Sequence, residues 1–248
     1  TKLEQLRRKL LNFRDISFDT ISGSGPNGAL PHYRVTHKTN RVVKNGEVLL
    51  VDSGAQFLDG TTDITRSISI GKPTREQKKF YTLVLKGMVA ISKVRFPHGL
   101  TGRDIDSLAR VPLWEIGHDY DHGTGHGVGV YLSVHEGPQR ISRASNIVLE
   151  EGMILSNEPG FYKEGSFGIR IENLLIVKKA KKLKTFSGRD MLEFETISFA
   201  PFDRKLIIKD ILTKGEIDWI NRYNKSILSK VIVSKKCLPW LSKETQPI

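Results

Sequence analysis

Apolar and polar positions along the 248-residue chain divide it into a readable series of elements. From Glu47 to Ile70 β-branched residues dominate, and Gly54 and Gly60 mark a turn region between two strand-like runs, which predicts a β-hairpin. After Pro73, TREQKKFYTLVLKGMVAISKV carries apolar residues at helical spacing, and Thr74 stands three residues before Gln77 as in a capping box, so a long helix follows. RDIDSLARVPLWEIG predicts a second helix, which Pro112 should end or kink. In DHGTGHGVGVYLSVHEGP, Val130, Leu132 and Val134 alternate with Tyr131, Ser133 and His135, so a loop entering a strand is expected. Residues 152–177 read as strand, turn and strand, and KKAKKLK at 178–184 as a loop between strands. At the amino end Leu3, Leu6, Leu10 and Phe13 begin an amphipathic pattern at once. With Thr1 in place of Met, this suggests a piece of a longer protein.

The two hairpins resemble each other. Gly46 lies six residues before Asp52 and Gly152 six before Glu158, while Gly54 and Gly160 each follow the acid by two. Both return with a second acid, Asp63 and Glu172, the second loop being three residues longer. A duplicated half-unit with a pseudo-twofold axis would gather four carboxylates at one point, where they repel unless cations lie among them.

Composition places few limits beyond that. Apolar and charged contents of 38% and 27% suit a folded globular chain. The lone Cys237 cannot form an internal disulfide, and no apolar run approaches membrane-spanning length. The opening segment is too polar for a secretory signal, so the cytoplasm is the expected compartment. The formal charge of +12 is concentrated late: residues 177–248 hold 16 Lys and Arg against 8 Asp and Glu, leaving 23 against 19 before them. Without a dense basic stripe interleaved with aromatics, this reads as solvated surface, and neither nucleic acid nor membrane is expected as a partner.

The acids are where chemistry is expected. Asp52, before a Ser-Gly pair, has the local pattern of a turn cap. Asp63 in DITRS and Glu172 in GIRIENLLIV sit in β-branched runs whose inward face makes an unpaired carboxylate costly. Arg170 shares a face with Glu172 by strand alternation, which allows a buried ion pair instead of a metal; Asp63 has only Thr65 there. His122 and His126 project from a Gly-rich frame that lets backbone approach closely.

VDSGAQF, DITRS, HGTGHGVG, VHEGP, NEPGFY and RIENL closely resemble the motifs of the pita-bread metallopeptidases, in the same order, with wording most similar to the aminopeptidase P branch. ALPHY, FPHGLTGRDIDSLAR and PWLSKETQPI extend the resemblance over nearly the whole chain. It implies an α+β pita-bread fold with pseudo-twofold repeated halves and a central curved antiparallel sheet. Residues 1–190 would form the catalytic domain, 191–248 a C-terminal extension packed on it, and upstream domains would lie outside this chain. By position, Asp52 would chelate one divalent metal, Asp63 and Glu172 would bridge two, and His126 with Glu158 would complete the second. Manganese is the metal implied, although cobalt, zinc or iron suits the same donors. Glu158 would shuttle the proton, His135 and His32 would hold substrate and stabilise the tetrahedral intermediate, His122 would line the site, and Arg170 would orient Glu172. The implied activity is release of the N-terminal residue from peptides with proline second. The alternatives are a prolidase-type dipeptidase or a catalytically weak binding module, and a homodimer is compatible with the family.

Overall fold

The computed structural model describes residues 2–180 and 188–248. The amphipathic start yields only a short helix, α1 (Lys2–Arg7), with no buried residue, and Phe13 already opens strand β1 (Phe13–Ile16). Six residues are too few to hold a helix by propensity. Side-chain anchoring holds this one, since Arg7 donates to the Gly54 and Ser53 carbonyls at 3.1 and 3.2 Å.

Strands β2 (Ile21–Ser24), β3 (Val48–Phe57) and β4 (Gly60–Ser69) follow. β3 and β4 form the expected hairpin in unbroken register from Val48↔Ser69 to Phe57↔Gly60, and β1 and β2 pair β3 on its other edge. The turn is made by Leu58 and Asp59; Gly54, expected in the turn, lies inside β3 opposite Asp63. Close approach explains it, because a Cβ there would meet the Thr62 carbonyl oxygen at 1.8 Å.

Helix α2 (Arg75–Lys93) starts where the capping box placed it, with Thr74 N–H donating to Gln77 at 2.8 Å and Gln77 N–H to Thr74 Oγ1 at 3.1 Å. After β5 (Arg95–Pro97), helix α3 (Gly102–Trp114) runs through Pro112 rather than ending there. Only Leu113 and Trp114 follow the proline inside the helix, so the lost hydrogen bond falls in a last turn that would fray anyway.

The passage after His126 forms no long strand. β6 (Gly125–His126) and β7 (Arg140–Ile141) pair, and the loop between them closes on itself through Gly129 N–H to Ser133 O and Glu136 N–H to Gly127 O. Val130, Tyr131 and Leu132 are exposed. Alternation without a partner strand to bury one face did not make a strand.

The second hairpin is present with each arm broken into two: β8 (Ile154–Asn157), β9 (Gly160–Lys163), β10 (Phe167–Arg170) and β11 (Asn173–Lys179). β8 pairs β11 and β9 pairs β10, and the breaks fall at Glu158–Pro159 and at Ile171–Glu172. Pro159 has no N–H to give a ladder. Both hairpins close alike at their base, where Gly46 and Gly152, each at positive φ, donate to Ile70 and Val177. β12 (Met191–Thr196) adds to β11 and pairs β5; the basic segment at 178–184 supplies the end of β11, and from 181 it lies outside the described residues.

Helices α4 (Lys214–Lys230) and α5 (Leu238–Glu244) complete the chain. α2 contributes to two apolar clusters. One joins Tyr81, Val84 and Met88 to Ile169 and Ile171 and to Leu206, Ile220, Ile227 and Leu241, and the other joins Ile91 to Phe96, Leu155, Leu175 and Leu192. Each such side chain contributes about 1.5–3 kcal/mol on burial, so the C-terminal residues share the main core. Among the described residues no helix is long and apolar enough to cross a membrane.

Candidate metal centre

The hairpins meet where the second one is broken. Because β10 ends at Arg170 and β11 begins at Asn173, the Glu172 N–H is free to donate to Thr65 O at 3.1 Å, across to the first hairpin. Arg170 N–H donates to Ser67 Oγ at 3.0 Å beside it. Asp52 and Thr65 are cross-strand partners, and Asp63 lies two residues from Thr65 on the same inward face. Asp52, Asp63 and Glu172 are thereby buried at 8%, 5% and 1% exposure, deep enough that unpaired charge is expensive.

Asp63, His126 and Glu172 each place one donor atom within 4.8 Å of the others. His126 is oriented by its own loop: Nδ1 lies 2.8 Å from the Gly127 carbonyl, which can only accept, so the hydrogen sits on Nδ1. The Nε2 lone pair then faces Glu158 Oε1 at 3.3 Å and Asp63 Oδ2 at 3.5 Å. Glu158 is held by its N–H to Thr124 O at 2.7 Å and by the Ser156 hydroxyl at 3.0 Å. Asp52 stands beside this group with Oδ2 bound to Arg170 at 2.7 Å.

Arg170 does not make the ion pair with Glu172 that alternation allowed but pairs with Asp52. The break in the hairpin destroys the period-two relation between positions 170 and 172. Arg170 also donates to Tyr162 Oη at 2.8 Å, to Pro31 O at 3.2 Å and to Thr65 Oγ1 at 3.2 Å, and its Nε lies 3.8 Å from Glu158. It reaches Glu172 only through Thr65, whose hydroxyl donates to Oε2 at 2.7 Å.

Burial pushes the Asp63 carboxyl well above its ordinary range, and the neighbouring Asp52 and Glu158 charges push it further. Glu172 rises for the same reasons, burial first and then Asp63, Glu158 and Asp52. Glu158 goes the other way: burial raises it, but His126, His122, Arg170 and the Ser156 hydroxyl together outweigh burial and hold it low. His122 is pushed down by burial. Its Nδ1 donates to the Gly123 carbonyl at 2.8 Å, so its Nε2 accepts from Tyr162 at 2.9 Å.

Whether cations suit this cluster is answered by its unmet atoms. Asp52 Oδ1, Asp63 Oδ1 and Glu172 Oε1 are buried and have no hydrogen-bond partner among the described residues. Three orphaned carboxylate oxygens, with the His126 imidazole close to Asp63 and Glu172, make a donor set for hard or borderline divalent ions.

His32 and His135 are exposed and line a cavity of about 320 Å³ with Asp52, Asp63, His126 and Glu158. The His135 ring stands 4.2 Å from that of His126. An adjoining cavity of about 550 Å³ shares His122, His126 and His135 and extends to Arg140 and Arg143. Sequence reasoning gave no role to Tyr162, which joins His122 to Arg170, or to Thr65. It also missed Asp106 and Arg110, whose ion pair binds Thr124 Oγ1 and the His122 carbonyl and so holds the histidine loop. Their helical i, i+4 spacing was the available signal.

A buried carboxylate-rich centre lies between the paired hairpins of this α+β protein, and comparison with known proteins specifies its class. Residues 1–179 match the model of metallopeptidase family M24, and residues 190–248 the C-terminal region of peptidase M24. The chain belongs to metallopeptidase family M24. It is 48% identical to a probable Xaa-Pro aminopeptidase P of Paracoccidioides brasiliensis and 47% identical to aminopeptidase P1 of Arabidopsis thaliana, covering 100% of this chain and 41% and 39% of those proteins. The crystal structure of X-prolyl aminopeptidase from Caenorhabditis elegans, described as a cytosolic enzyme with a di-nuclear active site, superposes at a TM-score of 0.94. It is 38% identical over 100% of this chain and 41% of that one. This chain therefore spans about two fifths of the length of these relatives, and its fold is the α+β pita-bread fold.

Proposed function

We propose that this chain is the catalytic portion of a dinuclear metallo-aminopeptidase that releases the N-terminal residue from peptides with proline in second position. The observation that carries the reading is the burial of Asp52 Oδ1, Asp63 Oδ1 and Glu172 Oε1 without a hydrogen-bond partner among the described residues, together with donor atoms of Asp63, His126 and Glu172 within 4.8 Å of one another. Asp52, Asp63, His126, Glu158 and Glu172 would hold two divalent ions, and the oxygen-rich set with one imidazole favours manganese. The ions would supply Lewis acidity and an activated water. Glu158, whose carboxyl its surroundings hold low, would take a proton and pass it to the leaving nitrogen. That nitrogen belongs to a tertiary amide before proline and has no hydrogen of its own.

His135 and His32, on the cavity rim, would donate to the substrate carbonyl as it gains charge. His122, kept neutral by burial, and Arg170 hold the wall through Tyr162. The adjoining cavity, which shares His122, His126 and His135 with the first, supports a cleft able to take peptides longer than a dipeptide. The likeness to the nematode enzyme supports a cytosolic setting. The test is hydrolysis of an Xaa-Pro-Xaa tripeptide and an Xaa-Pro dipeptide with Mn²⁺, Asp63→Asn serving as control. Release of the first residue from the tripeptide is expected. Cleavage of the dipeptide alone refutes the aminopeptidase reading, and a folded chain that binds no divalent ion refutes the metal site.

A further inference from the structure

We propose that Thr65 is a positioning residue that decides which oxygen of Glu172 faces the metal ions, an inference that rests on the dinuclear reading above. Thr65 is 0% exposed, and its hydroxyl stands between Arg170 Nε at 3.2 Å and Glu172 Oε2 at 2.7 Å. A guanidinium has donors and no acceptor. At the Arg170 contact the Thr65 oxygen must therefore accept, and its single hydrogen is committed to the Glu172 carboxylate. Chemistry alone fixes the direction of this relay.

Its consequence is visible in the two oxygens of Glu172. Oε2 is held by Thr65, while Oε1 is buried without a partner. Asp52 shows the same division: Arg170 holds Oδ2 at 2.7 Å and Oδ1 is left without a partner. One guanidinium thus sets one carboxylate on each hairpin, Asp52 directly and Glu172 through Thr65. Thr65 grips Glu172 a second time, since its carbonyl accepts the Glu172 N–H at 3.1 Å. A second hydrogen bond at the carboxylate fixes its rotation about the Cγ–Cδ bond, which a backbone contact alone leaves free. Outer partners that orient a ligand in this way change metal affinity by about 10–100-fold.

The experiment titrates Mn²⁺ into the 248-residue chain by calorimetry for wild type, Thr65→Val and Thr65→Ser, with circular dichroism to confirm folding. Val keeps the shape and the backbone contact but has no hydroxyl, whereas Ser keeps the hydroxyl. Thr65→Val is expected to weaken Mn²⁺ binding roughly 10–100-fold, with Thr65→Ser within about threefold of wild type. Val binding as tightly as wild type, or Ser weakened as much as Val, overturns the positioning role and leaves the metal reading standing. Wild type that binds no Mn²⁺ overturns the metal reading and this inference with it. Should the Val variant not fold, Thr65→Cys replaces it: binding weaker than Ser is expected, and binding equal to Ser overturns the proposal.

Discussion

Asp63→Asn should make the metal-free protein more stable while removing its response to metal. Asp63 is 5% exposed, its Oδ1 has no partner among the described residues, and burial together with Asp52 and Glu158 raises its carboxyl well above the ordinary range. An unsatisfied buried polar group costs about 1–3 kcal/mol. Asn keeps the volume, removes the charge and brings two donors to a pocket rich in carboxylate acceptors. The metal-free variant should therefore gain about 1–3 kcal/mol. For a domain of this size that raises Tm by roughly 2–12 °C.

The sign with pH follows from linkage. A carboxyl that titrates higher in the folded state lends stability that is complete below its unfolded pKa, near about 4, and lost as pH climbs through the folded value. Wild type should thus lose stability from pH 5 to 8 in a chelator, and its gap to Asp63→Asn should widen over that range and close in acid. Saturating Mn²⁺ should reverse the order, since each site filled at about 100 times Kd adds about 2.7 kcal/mol to wild type alone. Thermal unfolding by circular dichroism, with chelator and with Mn²⁺, reads both effects. A variant less stable than wild type in chelator at pH 8, or one stabilised by Mn²⁺ as much as wild type, refutes the reasoning.

Tyr162→Phe removes the hydroxyl between Arg170 and His122, a bond to a charged group worth about 1.5–3 kcal/mol, and should lower kcat/KM on an Xaa-Pro-Xaa peptide about tenfold or more; unchanged turnover would count against its role. Gly54→Ala places a Cβ 1.8 Å from the Thr62 carbonyl oxygen and 2.2 Å from Ser17 Oγ, so β4 must move at Asp63. Chemical denaturation should show a loss of more than about 2 kcal/mol, as for other overpacked sites, together with weakened Mn²⁺ binding. Leu155→Ala, at a fully buried position of the β8 sheet, should cost about 2–5 kcal/mol without altering the metal stoichiometry. Thr74→Ala should cost about 1 kcal/mol through the lost α2 cap and leave activity alone.

Local rules carried far in this chain. The capping box at Thr74 and Gln77 located α2 because its hydrogen bonds lie within four residues. The β3–β4 pairing and the correspondence of Gly46 with Gly152 were legible because strand period and positive-φ glycines are written position by position. The alternation at 130–135 failed because a strand needs a partner opposite it in space, whereas Pro112 did not end α3 because it falls in the helix's last turn. Among the site residues, Asp52, Asp63, Glu158 and Glu172 could be chosen from the paired hairpins, whereas His126 rested on the resemblance of its Gly-rich motif.

What the amino-acid order determined by itself is the inventory: two hairpins each bearing two acids, a capped helix, and a glycine-framed pair of histidines. Only the tertiary structure decided the partners. The break at Ile171–Glu172 takes Arg170 out of register with Glu172 and gives it to Asp52, and it delivers the Glu172 backbone and carboxylate to Thr65, 107 positions away. Strand alternation is a local property, but a hydrogen bond across two hairpins depends on where each chain breaks its ladder, and that is settled only when both pack on the same core.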